Sequence, residues 1–290
     1  RTLLPNASRL LETRAVALGA PRHGPEIAAS GPQLISMPGY LEIFAGHPDL
    51  GCDNNECLRP PAHTFVDDVI DTSGPDDAAV VASLPNIARA ATSNVARLAM
   101  TAGRHFVERA DSLRADEPTA TLLDRAARAK AFPGEGDYRP DALTAKIALR
   151  VLSTMQPRFL FVGLGDADEY GHRNDYRWYL HAIHASDAFL GDLFTTLDGM
   201  GARGRHTMVL VTADHGRGYD FKDHGPRFPE SGRVWLLVAG DDLQRHGLVT
   251  PSRRHTLSDV APTVRALLGI PGDGTPIPEV LPFAGAPAAP

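Results

Sequence analysis

Between Asp141 and Gly240 the chain alternates helix-like and strand-like segments joined by short connections, and no other feature restricts the fold so narrowly. "DALTAKIALRVLSTMQP" puts Leu143, Ile147 and Val151 on one helical face, with Pro157 ending the run. "RFLFVGLG" follows as a short, continuously apolar segment suited to a strand buried on both faces. "DYRWYLHAIHASDAFLGDLFTTL" predicts a second helix with Tyr179, Ile183, Leu190, Leu193 and Leu197 toward the core. "HTMVLVTA" and "RVWLLVAG" read as two further buried strands. Alternation of this kind predicts an α/β fold, a mainly parallel sheet sandwiched between helices. A last helix, "SDVAPTVRALLG", takes Ser258 as its N-cap, Pro262 near its first turn and Gly269 as its stop.

The chain has 290 residues, enough for one large α/β domain over residues 1–274, followed by an extended Pro/Gly/Ala-rich tail over 275–290. Residues 76–137, from Asp76 to Asp137, are rich in Ala and Arg and are expected to form an inserted helical cap. A formal net charge of −6 leaves no electrostatic footprint for nucleic acid. No apolar run reaches the ~20 residues that span a bilayer. The opening "RTLLPNASRLLE" lacks the charged start and apolar run of an export signal, and it reads as a chain already under way. Cys52 and Cys57, the two cysteines, fit a local disulfide or two free thiols, and make a weak zinc site without a second ligand pair.

In a parallel α/β sheet, ligands gather where loops leave the carboxyl ends of the strands. Here those places carry metal-capable groups. "FLFVGLG" runs into "DADEYGHR", "MVLVTA" runs into "DHGRG", and "DFKDHGP" comes before the next strand. Asp168 and His172 stand four apart, the spacing of two groups on one helical turn. Asp214–His215 taken alone also fits a turn closing a strand, and His224 alone fits an ordinary loop histidine. Together they form a mixed oxygen and nitrogen set suited to zinc, or to manganese if more oxygens join.

"VTADHG", preceded by a D-x-x-G-H segment and followed by the "DHG" histidine, resembles the alkaline phosphatase superfamily, closest to its nucleotide pyrophosphatase/phosphodiesterase and phosphopentomutase-like branches. The resemblance runs in order from about Leu4 to Leu268. It implies two divalent ions, zinc or manganese: one held by Asp168, His172 and His224, the other by Asp214, His215 and the nucleophile. In "LISMPGYLEIFAGHPDLGCDNN", Ser36 falls on the nucleophile position, and Asn54 falls on the asparagine that donates to a phosphate oxygen. A serine hydroxyl becomes a competent nucleophile once a dication lowers its pKa. Arg217 is a candidate substrate contact. Tyr40 stands where a formylglycine-forming sulfatase would have Arg, which argues against that branch. The family's first strand, ending in an aspartate that completes the second metal site, precedes a segment like "LLPNASRLL", and it is expected upstream of Arg1. The implied activity is hydrolysis of a small phosphate ester through phosphoserine. The alternatives are a phosphomutase using the same residues and a non-catalytic relative that binds metal or anions. The resemblance also points to a periplasmic or secreted location.

Overall fold

In the computed structural model, which describes residues 3–48, 51–57 and 63–282, the alternation read from sequence is realised. In chain order the strands are β1 (Ala15–Leu18), β2 (Ile27–Ala28), β3 (Ala78–Ala82), β4 (Ala99–Ala102), β5 (Phe106–Glu108), β6 (Phe159–Gly163), β7 (Val209–Thr212), β8 (Arg233–Val234), β9 (Leu236–Ala239), β10 (Gly247–Leu248) and β11 (His255–Thr256). The chain divides into two units, Arg1–Asn55 with Leu193–Pro290, and Glu56–Asp192. No helix among the described residues is long and apolar enough to cross a membrane.

The Glu56–Asp192 unit is built on a sheet of order β5-β4-β3-β6, in which β3 runs parallel to both β4 and β6 and β5 closes the edge antiparallel. Ala79, Val81 and Ala99 meet Leu143, Ile147 and Val151 of the Asp141–Met155 helix in one buried core. Small side chains on the sheet let that helix approach closely, and each buried Ile or Val side chain contributes about 1.5–3 kcal/mol. The helix stops where Gln156 turns left-handed (φ 49) ahead of Pro157.

The other unit carries a sheet of order β10-β1-β9-β7 and a smaller one of order β11-β2-β8. β9 pairs antiparallel with both β1 and β7, with Val238 opposite Val16 and Leu210. The Ser36–Ala45 helix is buried along its whole length. Gly46 ends it in the left-handed conformation (φ 78) that glycine adopts at no steric cost.

Several expectations are corrected. The 76–137 stretch is not a helical cap: it contributes β3, β4 and β5, with α-helices at Ile87–Ala91, Ala110–Arg114 and Glu117–Ala127 and a 3-10 turn at Val95–Arg97. Its "AAVVA" is rich in the best helix former, yet packing on both faces makes it a strand, a tertiary override of intrinsic propensity. "RVWLLVAG" breaks into β8 and β9 around the exposed Trp235, and its direction is antiparallel. β6 and β7 are mostly half-buried rather than buried, because each has a single hydrogen-bonded neighbour among the described residues. Ser258 does not cap the last helix. Thr256 and Asp259 form a capping box on the preceding turn, and the Ser258 N–H and hydroxyl donate to Glu42 instead. Of the expected tail, Ile277 and Val280 are buried, and residues 283–290 lie outside the described residues.

Candidate metal centre and active site

Ser36 is the first residue of its helix, behind Ile35 in extended conformation. It is buried, and its Oγ lies 3.3 Å from Nε2 of His215. Three residues fix this helix in place, Asn55 from outside it and Glu42 and Gly39 on it. The Met37 N–H donates to Oδ1 of Asn55 at 2.9 Å. The buried Glu42 carboxylate accepts the N–H groups of Ser30 (2.9 Å) and Ser258 (3.0 Å). Gly39 sits directly against the backbone of Asp214, where a Cβ would come within 2.3 Å of the Asp214 carbonyl oxygen. The glycine of "SMPGY" is therefore what lets the serine helix approach the Asp-His loop.

That loop leaves β7 and turns back through Gly216, whose N–H donates to the Ser231 carbonyl at 2.7 Å. A Cβ on Gly216 would meet the Arg233 carbonyl at 2.5 Å, so the tight return also requires glycine. His215 is buried with its Nδ1 2.8 Å from the Gly216 carbonyl. His224 places its Nδ1 3.1 Å from the Leu34 carbonyl, and the two imidazoles stack with centroids 3.8 Å apart. A carbonyl can only accept, so each Nδ1 is the protonated nitrogen and each Nε2 presents a lone pair. This is the arrangement that orients a histidine as a metal ligand. Asp214 adds a carboxylate oxygen 3.5 Å from His215 Nε2. Imidazole nitrogen, carboxylate oxygen and a serine hydroxyl thus converge, a donor set that fits zinc or manganese.

In the Glu56–Asp192 unit, Asp168 and His172 lie on the short Asp166–His172 helix that follows β6. The four-residue spacing brings Oδ2 of Asp168 to 3.2 Å from Nε2 of His172. A buried polar cluster supports this end of the sheet. Arg139, fully buried, donates to the Ala82 carbonyl (2.7 Å) at the end of β3 and to the Thr101 hydroxyl (2.7 Å) on β4. Burial draws its guanidinium down to about 10. Asp141 and Asp166 sit beside Tyr138, whose hydroxyl donates to both. Burial, and then the Asp166 charge, push the Asp141 carboxyl up, and burial pushes Asp166 up as well.

The remaining sequence candidates are placed differently. Asn54 is exposed, and its amide donates to the Asp53 carboxylate at 2.8 Å, whereas its neighbour Asn55 reaches the serine helix. Arg217 directs its guanidinium at the carbonyls of Phe221 and Lys222, both 2.5 Å away, and so braces its own loop. Both cysteines are disulfide-bonded. Sequence reasoning missed Asn55, Glu42 and Asp141. The run "DNN" held the signal for Asn55 without saying which asparagine reaches the serine helix. Nothing in sequence separates Glu42 or Asp141 from ordinary helix acids.

Residues 134–271 match a family described as the Metalloenzyme superfamily. The chain is 28% identical over 273 residues to a phosphopentomutase of Methylobacterium radiotolerans, covering 83% of this chain and 63% of that protein. It is 28% identical over 183 residues to a 2,3-bisphosphoglycerate-independent phosphoglycerate mutase of Haloarcula marismortui, covering 56% of this chain and 34% of that protein. The chain therefore spans less than two thirds of the length of these relatives. Among solved structures, a phosphonate monoester hydrolase of Agrobacterium radiobacter shares the fold with a TM-score of 0.58 at 14% identity, over 96% of this chain and 72% of that one. Alkaline phosphatase from the Antarctic bacterium TAB5 does so with a TM-score of 0.51 at 13% identity, over 92% of this chain and 91% of that one.

The chain is thus similar to a superfamily of metalloenzymes over residues 134–271 and to two phosphomutases over longer stretches. The family match, the phosphopentomutase relatives and the shared fold support an alkaline phosphatase-superfamily assignment.

Proposed function

We propose that the chain is a metal-dependent phosphoric-ester hydrolase in which Ser36 takes the phosphoryl group of a small-molecule ester. The observation that carries this reading is the buried Ser36 hydroxyl 3.3 Å from Nε2 of a histidine whose other nitrogen is held at a backbone carbonyl. The family resemblance assigns Asp168, His172 and His224 to one divalent ion, zinc or manganese, and Asp214, His215 and Ser36 to a second. Such ions lower the pKa of a coordinated hydroxyl and offset the negative charge on the transferring phosphoryl oxygens. Ser36 Oγ, its proton released to solvent, forms the new O–P bond while the ester oxygen departs in line and takes up a proton from solvent. Water then cleaves phosphoserine and frees inorganic phosphate. Asn54 donates to a non-bridging oxygen in this scheme. Arg217 would reach substrate only by releasing the Phe221 and Lys222 carbonyls.

A second reading, transfer of the phosphoryl group back to a substrate hydroxyl, is favoured by the mutases among the relatives. The two differ in the acceptor and share Ser36. Chelation is expected to abolish turnover of an aryl phosphate. Ser36→Ala should lower turnover by about three orders of magnitude or more while the protein keeps its metal. Chelator-insensitive activity, or near-wild-type turnover in S36A, overturns the mechanism. Isomerisation of a sugar phosphate without phosphate release selects the mutase reading.

A further inference from the structure

We infer that Asp141 is a positioning residue: its carboxylate holds the N-terminal turn of the Asp166–His172 helix and thereby aims Asp168 and His172. The inference rests on the reading above that these two residues ligate a metal ion. Neither the Asp141–Met155 helix nor the Asp166–His172 helix has a side-chain cap from its own N-cap residue, which is Pro140 in one case and Gly165 in the other. The two helices cap each other instead. Asp141 accepts the Gly165 N–H and the Asp166 N–H, both at 2.8 Å, and Asp166 accepts the Asp141 N–H at 3.2 Å.

The Asp166–His172 helix has only seven residues, too few to hold itself by internal hydrogen bonds. Its first donors depend on Asp141. Asp141 is in turn fixed by the Ser83 hydroxyl (2.6 Å), which follows β3, and by the Tyr138 hydroxyl (3.3 Å). A chain of contacts thus leads from the sheet, through one carboxylate, to the turn that carries both candidate ligands. The carboxylate is needed as such. One oxygen faces Gly165 N–H and the other faces Asp166 N–H, so an asparagine would turn its NH2 toward one of these donors in either orientation.

The test is Zn2+ titration by calorimetry on the intact protein, with amide hydrogen exchange over residues 165–172 and a thermal melt. Asp141→Asn is expected to raise the Kd of one Zn2+ site about 10–100-fold and to speed exchange at residues 165–168. Ser83→Ala leaves both amide bonds in place and is expected to keep the Kd within about threefold. Should D141N not fold, Asp141→Glu serves in its place, since it keeps the charge but displaces the carboxylate by one methylene, and the same rise in Kd is expected. Wild-type affinity and exchange in the Asp141 variant overturn the positioning role alone, as does an S83A effect of equal size. A wild-type protein that takes up neither Zn2+ nor Mn2+ overturns the metal reading itself, and the positioning role with it.

Discussion

Gly39→Ala tests whether the serine helix is built against the Asp214 backbone. The added Cβ would lie 2.3 Å from the Asp214 carbonyl oxygen, 3.0 Å from its carbon and 3.1 Å from the Asp214 Cβ. The first contact falls about 0.7 Å short of the 3.0 Å that real Cβ atoms respect, and the obstacle is backbone, not the end of a flexible side chain. Two effects compete. Alanine is the better helix residue by about 0.5–1 kcal/mol. Forcing a methyl into a packed contact costs about 1–3 kcal/mol. The clash outweighs the propensity gain by up to about 2.5 kcal/mol, which corresponds to a fall in Tm of up to about 10 °C. The functional loss should be much larger. A displacement approaching 1 Å between Ser36 and the Asp214–His215 loop costs about 100-fold in turnover. Differential scanning calorimetry and aryl phosphate turnover, run on the same preparation, read both quantities. A G39A protein that melts above wild type and keeps its turnover would show that helix propensity dominates and that the close approach has no bearing on the site.

Two further predictions concern named side chains. Asn55→Ala should destabilise the start of the serine helix, by about 1 kcal/mol, because the Met37 N–H loses its acceptor; Asn54→Ala should leave the melt unchanged while lowering turnover, and a reversed pattern would transfer the phosphate-binding role to Asn55. Burial alone would raise the Asp67 carboxyl, but hydrogen bonds from Thr92, Ser93 and Thr64 outweigh it and hold it below its ordinary value of 3.8. Its ionised form therefore stabilises the fold above pH 3.8, and that contribution is lost as pH falls through the lowered folded value. Asp67→Asn should cost about 1–3 kcal/mol at pH 7, with the gap to wild type narrowing in acid, and a pH-independent gap would refute the linkage.

The features legible in sequence are those for which physics leaves few choices. Leu143, Ile147 and Val151 recur at helical period because a helix on a sheet buries one stripe, and all three are buried. The spacing of Asp168 and His172 is legible because residues four apart share a helical face, and their side chains meet at 3.2 Å. What failed depends on partners distant in sequence. "AAVVA" is a strand only because β4 and β6 flank it, and an isolated reading of its alanines favours helix. Strand direction has no signature in composition, so the antiparallel run of β9 could not be read from "WLLVAG".

The same distinction divides the candidate site itself. A ligand position admits Asp, Glu, His or Cys and stands out at a strand end. A residue that holds a ligand in place needs only a hydrogen-bond acceptor at the right point, which any acidic residue can supply. Glu42 occupies the seventh position of a helix that reads as apolar, yet it joins that helix to Ser30 and Ser258, the latter 216 residues away in sequence. Asp141 looks like a first-turn acid whose role is to favour its own helix dipole. In the folded chain it instead accepts the N–H groups of residues 165 and 166, on another helix. Substitution of Asp141 should therefore loosen the Asp168–His172 turn before it loosens the helix that Asp141 begins, an order of exchange that its sequence position would have reversed.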